Sequence, residues 1–360
     1  MIYLQEKKLN RNLLNCSIQI EGKVISIHNF NIEDKVYKDK DFLIFFKKEN
    51  DNDIYYYYKK IFKIYYSKKH NNSFNLKHLL AKSKYIQIIN QESNSDIIFI
   101  NTFSTDFLNK NRKQWIYFMK NIEHMCHKTK LNNLIYGEDY SIKSKLIKNG
   151  ILPKEIDQWD KNQLLICKPH NGSCGKGIFI KPYTEMLEYI QKEKIHNFIV
   201  QEYIESKLVR GKKFDLRIYV FLNSNGDFFI SEHGFLRLAQ KKYDSKKTDI
   251  SIHLTNTSIA KNKAEIIPFY SWKEKHKYLE KIKMVIEDVI QKYNKKYTES
   301  KDIKSFHLLG FDLMIDKKDS IRMIEVNKRP SMKFINNVSK SIKQKMVYDL
   351  VQFFQTYLEY

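Results

Sequence analysis

The sequence contains few of the residues that mark linkers, disulfide scaffolds or zinc sites. Its 360 residues include only 10 glycines, 5 prolines and 4 cysteines. Because glycine and proline are scarce throughout, we predict no flexible linker and no internal repeat. Four scattered cysteines are too few for a disulfide scaffold, and Cys167 and Cys174 have no matching ligand pair that would complete a zinc site. We expect buried or incidental thiols.

Long apolar runs are also absent. No stretch of about 18 apolar residues occurs, so no transmembrane helix is predicted. The first residues, MIYLQEKKLNRN, lack the apolar core of a signal peptide. We therefore expect a soluble, cytoplasmic protein. With 42% apolar residues the chain can still build real cores, and its length predicts two or three lobes.

Acidic residues are outnumbered by basic ones. The 64 Lys and Arg residues against 41 Asp and Glu residues give a formal net charge of +23. This excess indicates nucleic acid, an anionic membrane surface or an acidic protein segment as partner, or else it reflects the Lys-, Asn- and Ile-rich composition. Basic and aromatic residues alternate from Asp53 to Tyr66, a pattern that suits base stacking but is more typical of a strand. Nucleic acid is not the partner we expect.

The most informative stretch covers residues 310–327, GFDLMIDKKDSIRMIEVN. Two runs of alternating apolar and polar residues are joined by the polar segment 317–320, which predicts a β-hairpin. We place the centre of its turn between Lys318 and Asp319. That register decides which side chains of the two strands face each other.

In this register Asp312 lies opposite Glu325, and Gly310 lies opposite Asn327. Directly opposed side chains in an antiparallel pair have Cβ atoms only about 4.5–5.5 Å apart, and like charges there repel. A cation converts that repulsion into binding, and two carboxylates with an amide oxygen are ligands that Mg²⁺ uses. The alternative is a solvent-facing hairpin whose acids align without a function.

A second hairpin is predicted at residues 164–180, where two apolar runs flank the loop CKPHNGSCGKG at residues 167–177. Its three glycines allow backbone N–H groups to turn toward an anion, and Lys168 and Lys176 add positive charge. The Walker spacing is absent because His170 stands where a glycine is needed. The pattern alone leaves open a phosphate-covering loop and an ordinary Gly-rich turn.

Residues 212–222, KKFDLRIYVFL, read as a strand with one apolar face. Asp215 and Arg217 project together from the other face. They form either a surface ion pair or a substrate- or phosphate-binding pair, since arginine presents a planar fork of donors. Arg237 lies in a further predicted strand, and His253 by its spacing alone is more typical of a structural histidine.

Helices are predicted where apolar residues recur every three or four positions. Trp115, Phe118, Met119 and Ile122 predict a helix that begins at Lys113. Apolar positions between residues 282 and 290 predict an amphipathic helix, and those between 342 and 358 a closing helix over residues 338–358.

From about residue 101 to the end, the chain resembles the tubulin tyrosine ligase-like proteins, which are ATP-grasp amino-acid ligases. The resemblance rests on an ordered series of motifs, NTFSTDFLNKNRKQW, CKPHNGSCGKGI, QEYI, GKKFDLRIYV, GFLRLA, HLTN, LLGFDLMID and IEVNKRPSM. It implies an α/β (α+β) ATP-grasp fold that holds nucleotide between two lobes of antiparallel sheet and helices. We expect an N-terminal lobe over residues 1–95, a central linking lobe over 96–160 and the catalytic region over 161–360.

The resemblance also implies a set of site residues. Asp312, Glu325 and Asn327 are expected to hold Mg²⁺, and Arg217, Arg237 and Glu325 to be catalytic. The residues implied in ATP binding belong to the phosphate loop, the adenine hinge and the HLTN motif with its neighbouring strand: Lys168, Gly175, Lys176, Gly177, Gln201, Glu202, Tyr203, Ile204, Lys213, Asp215, Thr255 and Asn256.

The implied activity is an ATP-dependent ligation through an acyl phosphate. We expect addition of glutamate to glutamate side chains of an acidic protein tail, that of tubulin or microtubules, because GKKFDLRIYV resembles the glutamylating branch. Glycine or tyrosine ligation, and a non-catalytic basic module that binds nucleotide or microtubules, are the alternatives. Many members have a small or apolar residue and then Ser-Pro-Ser after the metal-binding Asn, where this chain has Lys328-Arg329-Pro330-Ser331, which puts the donor amino acid in doubt. The chain ends soon after this motif, so the basic surface itself is expected to bind the acceptor.

Overall fold

The computed structural model describes residues 7–9, 15–20, 23–28, 36–48, 54–67, 74–100, 113–170, 175–255, 265–297 and 303–358. The chain divides into two compact units. The first comprises Met1–Phe118, Ile303–Ser305 and Val347–Tyr360, and the second Met119–Asp302 and Phe306–Met346. Both contain helices and sheets, so the expected mixed α/β class is confirmed. The three-lobe division stays a prediction.

The described part of the first unit consists mainly of strands. In chain order these elements are β1 (Lys7–Leu9), β2 (Asn15–Ile20), β3 (Lys23–His28), β4 (Val36–Lys38), β5 (Phe42–Lys48), β6 (Ile54–Lys60), β7 (Phe62–Tyr66), α1 (Phe74–Leu80), β8 (Ile86–Ile89), β9 (Ile97–Phe99) and β10 (Trp115–Tyr117). Strands β1, β6, β5 and β4 form an antiparallel sheet, and β2 pairs with β3. Strands β8, β7, β9 and β10 are parallel neighbours in that order.

The helix predicted from Lys113 is wrong. Trp115–Tyr117 is strand β10, in which Trp115 pairs with Ile97 and Tyr117 with Phe99. Its residues are buried on both faces, as is usual for a parallel strand, so their sequence is continuously apolar and satisfies helical and strand spacing equally. Pairing with a distant strand decided between the two.

The second unit holds the remaining elements. They are α2 (Glu123–Cys126), α3 (Lys128–Leu134), β11 (Ser144–Ile147), β12 (Leu164–Pro169), β13 (Phe179–Pro182), α4 (Tyr183–Lys192), β14 (Phe198–Glu202), β15 (Leu208–Val209), β16 (Lys212–Asn223), β17 (Phe228–Ile230), β18 (Phe235–Leu238), α5 (Ile250–His253), β19 (Glu265–Pro268), α6 (Lys275–Tyr297), β20 (Ser305–Ile315), β21 (Ile321–Asn327) and α7 (Asn337–Tyr357), of which β20 begins and α7 ends in the first unit. The last two predicted helices are therefore confirmed as α6 and α7. Within the described ranges, no helix combines the length and apolar composition needed to cross a bilayer.

Two antiparallel sheets form the frame of the second unit. The first has the order β11-β14-β12-β13, and α4 packs its buried Tyr183, Met186 and Ile190 against it. The second has the order β19-β18-β16-β20-β21, and β15 and β17 also pair with β16. Buried residues of α6, among them Ile286 and Val289, join the apolar core of this second sheet. Most of the polar residues predicted for the site lie on strands of these two sheets.

Candidate functional site

A pocket of about 910 Å³, counting space open to solvent, lies between the two antiparallel sheets of the second unit. Part of the lining is apolar and comes from both sheets: Ile142, Ile166, Ile178, Ile180, Ile204, Leu254, Met314 and Ile324. The polar part is Lys128, Lys168, Lys176, Gln201, Glu202, Lys213, Asp215, Arg237, His253, Thr255, Asp312 and Glu325.

The hairpin of β20 and β21 has the predicted register where it matters for the carboxylates. Asp312 pairs with Glu325 and Gly310 with Asn327. Between the bulge and the turn, each residue of β20 pairs with a residue of β21 numbered one lower than predicted, because Ile324 forms a β-bulge: Leu313 pairs with Met323. The bulge turns Ile324 into the pocket beside Glu325. The solvent-facing alternative is wrong, since Asp312 is 2% exposed.

Oxygen atoms of the hairpin converge in the manner expected of a cation site. The Asn327 amide donates from Nδ2 to Asp312 Oδ2 at 3.1 Å and to Glu325 Oε1 at 3.2 Å. Both carboxylates thus lie around one side-chain amide, and rotating that amide by 180° directs its oxygen to the same point. The donor set fits a hard divalent cation. Within the described ranges, no three His, Cys, Asp or Glu side chains form a metal cluster, and the oxygen set of this hairpin consists of two carboxylates and one amide.

Asp312 is also the centre of a buried arginine network. Arg217 donates to it through Nε at 2.5 Å and NH2 at 2.9 Å, and Arg237 NH2 lies 2.9 Å from Oδ2. Burial raises the pKa of Asp312, but the positive charges of Arg217 and Arg237 outweigh burial and hold that pKa well below its usual value. The carboxylate is therefore ionised at neutral pH.

The second carboxylate of the network belongs to Asp215 on β16. It accepts from Arg237 Nε at 2.7 Å, from Arg237 NH2 at 2.5 Å and from the Thr255 hydroxyl at 2.7 Å. Asp215 and Arg217 share a face, as predicted, but each pairs with a residue of a neighbouring element. The surface ion-pair interpretation is wrong, because the two residues are 4% and 7% exposed.

Two lysines that line the pocket are buried. Lys168 donates to Gln201 Oε1 at 2.8 Å, and burial lowers the pKa of its ammonium to about 8 against the opposing effect of Glu325. Lys213 donates to the Ile204 carbonyl at 2.8 Å, and its Nζ lies 3.7 Å from the centroid of the Tyr203 ring. Burial lowers the pKa of Lys213 to about 7, although Glu205 and Asp215 oppose the shift. Both ammonium groups are placed to meet an anion.

A buried histidine of the HLTN motif, His253, contacts Tyr203, which belongs to the expected adenine hinge at residues 201–204. His253 Nε2 lies 2.6 Å from the Lys247 carbonyl, and Nδ1 lies 2.7 Å from the Tyr203 hydroxyl. Because a carbonyl only accepts, Nε2 carries the proton and Nδ1 accepts from Tyr203. Burial lowers the pKa of His253 and so favours this neutral ring. His253 therefore has the expected structural role, and it also lines the pocket.

The predicted hairpin around the phosphate-type loop is confirmed, with Ile166 paired to Ile180 and Cys167 to Phe179. Gly175 and Gly177 have φ angles of 72° and 70°, which residues with a Cβ rarely adopt. Gly175 and Lys176 reach the pocket. Residues 171–174 of the loop lie outside the described residues.

The pocket brings together most of the predicted site residues. Gly177, Arg217 and Asn327 do not line it, although Arg217 and Asn327 bond to residues that do. Asn256 lies outside the described residues.

Sequence reasoning missed several pocket residues. Met314 was detectable, because it follows Asp312 by two residues on the same strand face. Ile324 was not, since only the bulge turns it inward, and Lys128 comes from a distant helix without a sequence signal.

The fold and pocket define an α/β protein with a small-molecule site between two antiparallel sheets, charged at the end where the Asp312 network lies. Residues 90–359 match the model of the tubulin-tyrosine ligase family. The match covers most of the chain, which therefore belongs to this family.

Individual relatives are similar to this chain over about half of its length. Tubulin polyglutamylase TTLL6 of Homo sapiens is 33% identical over 222 residues, covering 52% of this chain and 24% of the relative. Tubulin polyglutamylase TTLL7 of Homo sapiens is 27% identical over 230 residues, covering 53% and 25%. The probable tubulin polyglutamylase ttll-9 of Caenorhabditis elegans is 27% identical over 224 residues, covering 55% and 53%. The matched region thus spans about a quarter of each human relative and about half of the worm protein.

Proposed function

We propose that this protein is an ATP-dependent ligase that adds glutamate to glutamate side chains of an acidic protein tail, that of tubulin. Membership of the tubulin-tyrosine ligase family supports the ligase class. The relatives are named tubulin polyglutamylases, or in the worm a probable one, which supports glutamate as donor and tubulin as acceptor. A cytoplasmic location at microtubules follows from that acceptor.

The pocket suits a nucleotide in one orientation. Isoleucine side chains of both sheets offer a flat apolar slot for the base beside the hinge, residues 201–204. Lys168 and Lys213 then meet the phosphates or the ribose region, and the loop with Gly175 and Lys176 covers the phosphates. Binding an anion restores the charge that burial disfavours on each lysine, so nucleotide and ammonium stabilise each other.

Asp312, Glu325 and Asn327 are the proposed ligands of Mg²⁺, which when bound neutralises charge on phosphoryl oxygens. Their oxygen atoms converge around one amide, as described above. The lowered pKa of Asp312 keeps its carboxylate ionised, as a metal ligand has to be.

The chemistry requires a carboxylate to become an acylating agent. ATP transfers its γ-phosphoryl group to the acceptor carboxylate, giving an acyl phosphate and ADP. The donor amine then forms the amide bond and phosphate leaves. Negative charge develops on phosphoryl oxygens and then on a tetrahedral oxyanion. Arg237, which lines the pocket, and Arg217, which bonds to Asp312, are the proposed residues that stabilise these charges. Losing one such preorganised contact typically costs roughly 3–4 kcal/mol, or about 10²–10³ in rate.

The observation that carries the proposal is the buried charge network at one end of the pocket. Two arginines and two aspartates are each at most 7% exposed and form a single hydrogen-bonded group. Burying four charges is expensive, and such clusters mark functional sites more often than they add stability.

Mass spectrometry of tubulin tests this function. Tubulin is incubated with the protein, Mg²⁺, ATP and a mixture of amino acids, in parallel with Glu325→Gln and with the exposed-site control Glu155→Gln. We expect mass increments of glutamate with wild type and with Glu155→Gln, and none with Glu325→Gln. Increments of glycine or tyrosine would refute the donor while keeping the ligase. If the protein binds ATP but adds no mass to tubulin, the proposed reaction on tubulin is refuted.

A further inference from the structure

Three segments near the pocket of the second unit carry an excess of positive charge. Residues 205–212, 241–249 and 317–319 contain nine Lys or Arg against four Asp or Glu residues. By contrast, residues 154–161 and 185–194, which pack together around the buried Ile156 on the other sheet, contain four Lys against six Asp or Glu. The first group is the more basic of the two and is here called the hinge-side basic face.

The three segments of this face are joined by direct contacts. The Lys317 backbone donates to the Glu205 carbonyl, and its ammonium lies 2.6 Å from the Glu205 carboxylate. The Tyr243 backbone donates to the Gly211 carbonyl at 2.8 Å. The segments therefore form one continuous surface.

The face is also fixed to the pocket. Its middle segment supplies the Lys247 carbonyl that meets His253, and His253 accepts from Tyr203 of the hinge. Its first segment follows Ile204 directly, and Ile204 and Tyr203 both line the pocket. A chain bound on this face is therefore held beside the nucleotide end of the site.

Part of the charge on the face is uncompensated. Lys241 pairs with Asp249 and Lys247 with Asp244. Lys242, Lys246 and Lys318 are exposed and form no ion pair within the described ranges. A shallow open depression lies between Lys241, Lys242 and Lys247 beside the partly buried Tyr243. Of the lysines that line this depression only Lys242 is unpaired in the described part of the chain, and Asp244 lines it too; the three unpaired lysines of the face together attract an extended chain with several negative charges.

We infer that the hinge-side basic face is a docking surface for the acidic polypeptide segment of the acceptor. This rests on the proposed function for the identity of the acceptor, but the face itself is separate from the reacting groups. The surface concentrates a carboxylate-rich chain beside the pocket and contributes to acceptor affinity, not to the chemical step. Acceptor KM therefore depends on it, whereas kcat and the KM for ATP do not.

The first test is direct binding of a fluorescein-labelled glutamate decapeptide, measured by anisotropy without ATP or amino acid. The test variant is Lys242→Ala/Lys246→Ala/Lys318→Ala. The matched control removes the same charge from the other side, as Lys154→Ala/Lys161→Ala/Lys192→Ala, since these three lysines are equally exposed and unpaired within the described ranges. We expect the test variant to bind about tenfold more weakly and the control within about twofold of wild type. A Lys→Arg triple at the test positions retains binding.

Equal loss in the two alanine triples would overturn the inference, because net charge alone would then explain it. Equally tight binding of a single-stranded oligonucleotide of the same charge through the same three lysines would also overturn it in favour of nucleic acid. Unchanged ATP affinity of the test variant shows that it is folded. Because the peptide assay contains no reaction, a failed ligase assay refutes the proposed function without touching this result. With an active enzyme, acceptor KM rises about tenfold at constant kcat.

Discussion

Replacing Lys213 by arginine should abolish most of the proton uptake that accompanies ATP binding. Lys213 is 3% exposed, and burial lowers the pKa of its ammonium to about 7. At pH 8 only about one tenth of the free protein carries the proton, whereas contact with phosphate favours the charged form. Binding at pH 8 should therefore take up about 0.9 proton at this residue, and affinity should fall as pH rises above 7. Arginine stays charged throughout this range.

Isothermal titration calorimetry in two buffers of different ionisation enthalpy measures this uptake. Lys168, whose pKa is about 8, adds about half a proton at pH 8, so Lys168→Arg serves as the matched control. We expect the larger loss of uptake in Lys213→Arg. Equal uptake by wild type and Lys213→Arg would refute the reasoning, because Lys213 would then be charged before ATP binds or would not meet the nucleotide.

Two substitutions test the packing of the charge network. Asp215→Asn removes one of the two carboxylate partners of the buried Arg237 and leaves Asp312, and breaking a buried pair typically costs up to about 3–5 kcal/mol. We expect a clear fall in melting temperature, which the exposed Glu155→Gln does not show. Equal melting of the two variants would contradict the network. Gly310→Ala places a Cβ 2.9 Å from the Cβ of Pro330 and 3.1 Å from Cδ of Arg217. We expect about 1–3 kcal/mol of destabilisation, measured by thermal melting, and slower tubulin glutamylation because Arg217 shifts away from Asp312. Unchanged melting temperature and unchanged rate would show that the loop after the hairpin moves to accommodate the added Cβ.

The carboxylate pair was predictable because it depends only on local geometry. A hairpin with alternating residues fixes which side chains share a face, so the Asp312 and Glu325 register followed from the turn position. The same rule placed Asp215 and Arg217 on one face of β16. The partners of these groups were not predictable, since each lies on a neighbouring strand distant in sequence.

The helix prediction at Trp115 was wrong for a comparable reason: the pairing partner is distant in sequence. An apolar run that is buried on both faces carries no periodicity, so only its parallel pairing with Ile97–Phe99 made it a strand. Ile324 likewise entered the pocket through a bulge, which inserts a residue without changing the alternating pattern on either side.

The sequence by itself determined the two hairpins, the long helices and the carboxylate pair, because these follow from residue periodicity within a few turns or one strand pair. Tertiary structure alone decided the charge state and partners of the site. It buried Lys168 and Lys213 and so lowered their pKa values, and it brought Asp312 between two arginines of neighbouring strands. Dielectric environment and charge proximity are properties of packing, which no local pattern of residues specifies.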